Sequence, residues 1–125
     1  MRQIRLVLGR SFNVRVHKEM TEGVIRVRAA IRLLPTSESG RKAPIRGSYR
    51  PNHNFGTPDN RAMRVGYIDL PEGTWLSPGE TAETVIAFWE APGLVDELHP
   101  GREWRIQEGG LLVGIGTVIE VLSAP

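Results

Sequence analysis

Val24-Ile25-Arg26-Val27-Arg28-Ala29-Ala30-Ile31-Arg32-Leu33-Leu34 alternates between apolar and polar side chains with a period of two, and its reading decides the fold class. Successive side chains of an extended strand point to opposite faces. Ile25, Val27, Ala29, Ile31 and Leu33 therefore share one face, and Arg26, Arg28, Ala30 and Arg32 the other. The apolar face needs a core to cover it. The other face sets three guanidinium groups in a row, a candidate phosphate ladder or a row of cations solvated or paired with acids.

Upstream, Ile4, Leu6 and Leu8, then Phe12, Val14 and Val16, form two shorter alternating runs around Gly9, Arg10 and Ser11. They predict a β-hairpin or an arm that covers a sheet edge. Downstream, residues 35–62 are broken by Pro35, Gly40, Pro44, Gly47, Pro51, Gly56 and Pro58, so only short extended pieces are expected there, at Pro44–Arg46 and His53–Phe55. Strands are then predicted over Met63–Leu70, Thr81–Trp89, Trp104–Gln107 and Leu112–Leu122, with turns at Pro71–Gly73, Ser77–Gly79 and Glu108–Gly110. On the last strand Val113, Ile115, Thr117, Ile119 and Val121 are read as one face. About six main strands result, with no long amphipathic helix and one helical turn possible within Gly93–Leu98.

Composition points the same way. The 125 residues suit one domain, and few aromatics (6%) with 14 Gly and 9 Pro favour short strands and tight turns: the chain is read as all-β. The absence of cysteine removes disulfides and thiolate metal ligands and suits a reducing cytoplasm. No apolar run approaches the roughly 18 residues of a membrane helix, and no signal peptide is seen, so a cytoplasmic location with no membrane partner is expected. Charge is unevenly spread: residues 1–50 hold twelve Lys or Arg against three acids, net +9, and residues 51–125 hold four against eleven, net −7. Such asymmetry fits a polyanionic partner or simply charges that pair once folded.

The chemistry of an enzyme is not written here. No glycine is followed by lysine, so the phosphate-cradling P-loop is missing, and the glycines of Gly110–Gly116 fall in a strand where close packing or a bulge accounts for them. His17, His53 and His99 have no metal-ligand spacing, and no G-x-S-x-G elbow occurs. No catalytic residue, metal or cofactor is expected.

Four motifs in order carry a family resemblance. Gly40-Arg41-Lys42-Ala43-Pro44-Ile45 followed by Gly47-Ser48-Tyr49-Arg50-Pro51-Asn52 is similar to G-R-H-T-P-F…G-Y-R-P-Q-F. Gly66-Tyr67-Ile68-Asp69-Leu70-Pro71-Glu72-Gly73 is similar to G-x-I-E-L-P-E-G, and Pro78-Gly79 to a M-P-G-D turn. Gly101-Arg102-Glu103-Trp104-Arg105-Ile106-Gln107-Glu108-Gly109-Gly110, then Val113-Gly114-Ile115-Gly116, resembles G-L-R-F-A-I-R-E-G-G-R-T-V-G-x-G. Together they resemble the third, C-terminal domain of bacterial elongation factor Tu over roughly residues 24–122.

The resemblance implies a six-stranded antiparallel Greek-key β-barrel over residues 23–125; residues 1–22 match nothing in the family pattern and are read from their own alternation as an added N-terminal hairpin or arm, through which a homo-oligomer could form. It implies a binding module without a GTPase domain. One reading is docking to a translation-related protein. A second is tRNA or other RNA binding, with no DNA expected, through Arg41, Lys42, Arg46, Arg50, Asn52, Glu108 and Gly109, with Arg26, Arg28 and Arg32 as a further basic strand face. A third is a barrel reused for assembly or inhibition. The chain departs from the family pattern at Ala43, Asn54, Gln107, Leu111 and the Glu90-Ala91-Pro92 region. The arginines replaced by Gln107 and Leu111, and a lysine missing from the 90–92 region, each remove a phosphate contact.

Overall fold

The computed structural model describes residues 4–6 and 23–125. Its elements are β1 (Ile4–Leu6), β2 (Val24–Leu33), α1 (Thr36–Ser39), β3 (Ile45–Arg46), β4 (Ser48–Tyr49), β5 (Asn52–Asn54), β6 (Met63–Arg64), β7 (Gly66–Asp69), β8 (Trp75–Leu76), β9 (Thr81–Trp89), α2 (Leu94–Glu97), β10 (Glu103–Glu108) and β11 (Leu111–Ser123). The chain is mostly β, as its alternation requires, and both helices are single turns.

Hydrogen bonding runs β4-β7-β9-β2-β11-β10-β5-β6, a strongly curled antiparallel sheet that forms a half-barrel. The long strands make its wall: β2 pairs with β9 along its length, from Val24 opposite Trp89 to Arg32 opposite Thr81, and with β11 on its other side. β10 and β11 form the hairpin expected from the Glu-Gly-Gly turn, where Gly109 takes a left-handed φ of 59°. Ser48 faces Asp69, Tyr49 faces Ile68, His53 faces Arg64 and Asn54 faces Met63, so β4–β5 and β6–β7 follow a single register. β8 was not foreseen; it pairs with β3, setting Trp75 opposite Arg46. Of the predicted N-terminal hairpin, β1 runs parallel to the start of β9, and the remainder lies outside the described residues.

Ile25, Val27, Ala29, Ile31 and Leu33 all enter the core, as the alternation demanded. Ile68, Ile86, Phe88, Trp104, Ile106 and Val118 meet them from the neighbouring strands. Each fully buried large side chain of this kind contributes about 1.5–3 kcal/mol relative to exposure. An aromatic group fills the centre: Phe55 stacks on Trp104 with centroids 5.2 Å apart, and Phe88 meets both edge-on.

One expected face is corrected. On β11 the residues lining the core between 114 and 118 are Gly114, Gly116 and Val118, while Ile115 and Thr117 are only half-buried. The reason is size. A Cβ on Gly116 would lie 2.3 Å from the Trp104 ring, and one on Gly114 would lie 2.9 Å from the carbonyl of Arg32. The core side of the strand must be nearly bare for Trp104 and Ile106 to fit. Shifts of register between Val118 and Glu120, and again before Ser123, break the alternation beyond.

Candidate binding surface

The turn after α1 brings together five of the candidate residues. Thr36 Oγ1 donates to the carbonyl of Arg41 at 2.7 Å, and the Arg41 amide donates to Ser39 Oγ at 3.1 Å, which holds the backbone of the loop. The Arg41 guanidinium then reaches Glu108 on β10, 67 residues away in sequence, and donates a longer bond of 3.3 Å to the carbonyl of Pro44. Beneath it lies the ring of Tyr49, with its centroid 5.4 Å from the guanidinium carbon. The Tyr49 hydroxyl donates to the same Glu108 oxygen, while its ring packs against the core. Burial and the bond to Glu108 both raise the Tyr49 pKa, so the hydroxyl stays a donor at neutral pH. Asn52 Nδ2 donates to the carbonyl of Gly109 at 3.3 Å, tying β5 to the β10–β11 turn. Lys42 is exposed beside this cluster.

Arg41, Asn52, Glu108 and Gly109 thus converge, but the charge of Arg41 is balanced by Glu108. Arg46 and Arg50 are placed differently. The Arg46 guanidinium lies over the indole of Trp75 at 4.5 Å, and that of Arg50 over the Tyr67 ring at 5.2 Å. Trp75 remains 45% exposed.

The basic strand face is not a ladder of solvent-facing cations. Arg26 is buried at 6% exposure, and that burial lowers its pKa. Arg28 pairs with Glu120, its cross-strand neighbour on β11. Arg32 is half-buried and stands opposite Ile115. Sequence alternation set the side of the strand correctly and said nothing of what covers it.

Two polar features were not anticipated. His53 sits fully inside the core: Trp104 Nε1–H donates to its Nδ1 at 3.0 Å, and its Nε2 lies 3.1 Å from the carbonyl of Gly66. This arrangement requires the neutral ring protonated at Nε2, and burial pushes the pKa down to about 4. Nearby, Asn54 Nδ2 donates to Gln107 Oε1 at 2.9 Å, and Asn54 Oδ1 accepts from the amides of Gly56 and Ala62. These bonds fold the 55–62 loop against the sheet.

Exposed apolar groups collect at the far end of β9. Trp89 and Val65 are joined by a backbone bond of 2.8 Å, and both are more than half exposed. Arg64 holds Glu97 through two nitrogens, at 3.0 and 2.7 Å, and so draws the segment 90–97 toward β6. A cavity of about 390 Å³ there is lined by Glu90, Ala91, Pro92, Gly93 and Val95.

No protein-family model matches this chain. Among the described residues no group of three or more His, Asp or Glu side chains is placed to hold a metal ion, and no helix is long and apolar enough to cross a membrane.

Proposed function

We propose that this chain is a non-catalytic binding module of the elongation factor Tu third-domain type, and that it docks a translation-related protein. The observation that carries this reading is the Arg46–Trp75 stack at 4.5 Å, with Trp75 45% exposed on a two-residue ladder. Trp and Arg supply a large share of the binding energy at protein interfaces, and a guanidinium already held over an indole loses little further freedom on docking. In the alternative, two of the candidate phosphate contacts, Arg41 and Arg28, are paired with acids and Arg26 is buried.

A closed six-stranded Greek-key barrel is part of the same proposal. Its support is the single register of β4–β5 against β6–β7: β5 pairs with β10 and β7 with β9, so one hairpin bonds to both sides of the curled sheet.

The test is affinity capture from an extract of the source cells at 50 and 200 mM salt, with wild-type protein and an Arg46→Ala/Trp75→Ala variant. A discrete GTPase or exchange factor held at both salt concentrations by the wild type alone is the expected result. Equal capture by the variant would reject this face.

The convergence of Arg41, Lys42, Asn52, Glu108 and Gly109 favours a second reading, a tRNA-binding surface. Binding through phosphates weakens steeply with salt, so tRNA retention at 50 mM that disappears at 200 mM and in Arg41→Ala/Lys42→Ala would favour RNA instead.

A further inference from the structure

On the outer face of the sheet, β10, β11 and β2 present Arg105, Ile115 and Arg32 as direct cross-strand neighbours in one rung. Neighbouring strands are about 4.8 Å apart, so the two arginines flank Ile115 across about 10 Å of backbone. Both are half-buried, and among the described residues neither meets a carboxylate or any other hydrogen-bond acceptor. The Nε–H of Arg105 is shielded from water and has no partner among the described residues. Arg28 and Arg41 share that feature, but their terminal nitrogens are paired with acids, whereas those of Arg32 and Arg105 meet no carboxylate among the described residues.

A cavity of about 260 Å³ opens beside this rung, between the 55–58 loop and β10. Arg105 and Ile115 line it with Phe55, Pro58, Arg102 and Trp104. Arg102 spans its edge, donating to the carbonyls of Phe55 and Glu103 and meeting no carboxylate among the described residues. Glu103 is the one acid among the lining residues. Cations thus flank an apolar centre next to a recess of mixed polar and apolar lining.

We propose that this rung and cavity bind an extended segment of a partner protein that presents an acid, an apolar residue and a second acid on one face. In an extended chain such residues alternate with outward-facing ones and set the acids about 13 Å apart, a span that two long arginine side chains can meet. The acids pair with the terminal nitrogens of Arg32 and Arg105, and the apolar residue covers Ile115 at the mouth of the cavity. Ile115 between the two cations favours a peptide over a nucleic acid backbone, whose repeating phosphates offer nothing to it. The inference deepens the protein-docking reading and uses a face separate from Arg46 and Trp75.

The probe is the acetylated, amidated peptide Asp-Ser-Leu-Ser-Asp, titrated into the ¹⁵N-labelled full chain and followed by NMR. Saturable shifts of the Arg105 and Arg32 Nε–Hε signals and of the Ile115 amide are expected. They should be lost with Asn-Ser-Leu-Ser-Asn, weakened several-fold with Asp-Ser-Ser-Ser-Asp, and absent in Arg32→Gln/Arg105→Gln. No movement at the rung in the wild-type protein overturns the proposal, as do equal shifts with a short oligouridylate of the same charge. The Arg46→Ala/Trp75→Ala variant separates the two readings. If it loses the captured partner while the peptide leaves the rung unmoved, the rung fails and the docking face stands. If it keeps the partner while the peptide binds the rung, the docking face fails and the rung stands.

Discussion

The indole N–H of Trp104 donates to Nδ1 of His53 at 3.0 Å inside a core where Phe88 meets both rings edge-on and Phe55 stacks on Trp104. A buried indole donor and a buried imidazole would each be costly alone, and each satisfies the other here. The bond exists only while His53 Nδ1 carries no proton.

That requirement makes stability depend on pH with a definite sign. The folded pKa of about 4 lies below the ordinary 6.5, so the unfolded chain takes up the proton first as pH falls. The contribution is complete above pH 6.5, declines through the window from 6.5 to 4 and is lost below it, amounting to about 3 kcal/mol. Urea denaturation at pH 7.5 and 4.5 should show the loss, and His53→Gln should flatten this part of the profile. Glutamine can accept from Trp104 without titrating, so an unchanged slope in that variant would assign the pH dependence elsewhere.

Gly116→Ala should destabilise the protein by about 1–3 kcal/mol, because the new methyl meets the Trp104 ring and the packed core must shift to admit it. Thermal melting gives the loss, and tryptophan near-UV circular dichroism should change with it. Gly110→Ala, where no neighbour lies within 4 Å, is the control and should melt close to wild type.

Glu108→Gln should release the Arg41 guanidinium from its counter-charge while keeping an acceptor for Tyr49 and Arg41. If the cluster meets phosphates, tRNA retention at 50 mM salt rises, and the slope of log affinity against log salt steepens by about 0.9 for the added contact. Gel retardation across a salt series measures both. An unchanged slope would show that Arg41 does not reach the nucleic acid.

Trp75→Ala should separate binding from stability. Removing an exposed cation–π contact costs about 0.5–1 kcal/mol, too little to unfold the chain, whereas capture of the protein partner should fall by at least ten-fold. Comparing denaturation midpoints with capture yield tests this. A large stability loss with proportionate loss of capture would make Trp75 a packing residue.

Local pattern was enough where strands are long. Val24–Leu33 formed as alternation predicted, because one apolar face has a single way to be buried, and Thr81–Trp89 formed where a strand was expected. Trp75–Leu76 has only two residues, too few for a period, and exists because Ile45–Arg46 lies alongside to bond with it. The reversed face of β11 has a similar origin: Ile115 is larger and more apolar than Gly114 and Gly116, but only glycine leaves room for Trp104.

For the surface, residue types and order were readable in one dimension, and so was the position of Arg26, Arg28 and Arg32 on the outer side of β2. Which of these charges is available was not. Glu108 meets Arg41 across 67 residues and Glu120 meets Arg28 across 92, distances that no local period encodes. Charge pairing, the burial of Arg26 and a rung of Arg32 and Arg105 unpaired among the described residues follow from which strands lie side by side. Alternation reports only the face a side chain occupies, and the neighbouring strand decides what that face meets.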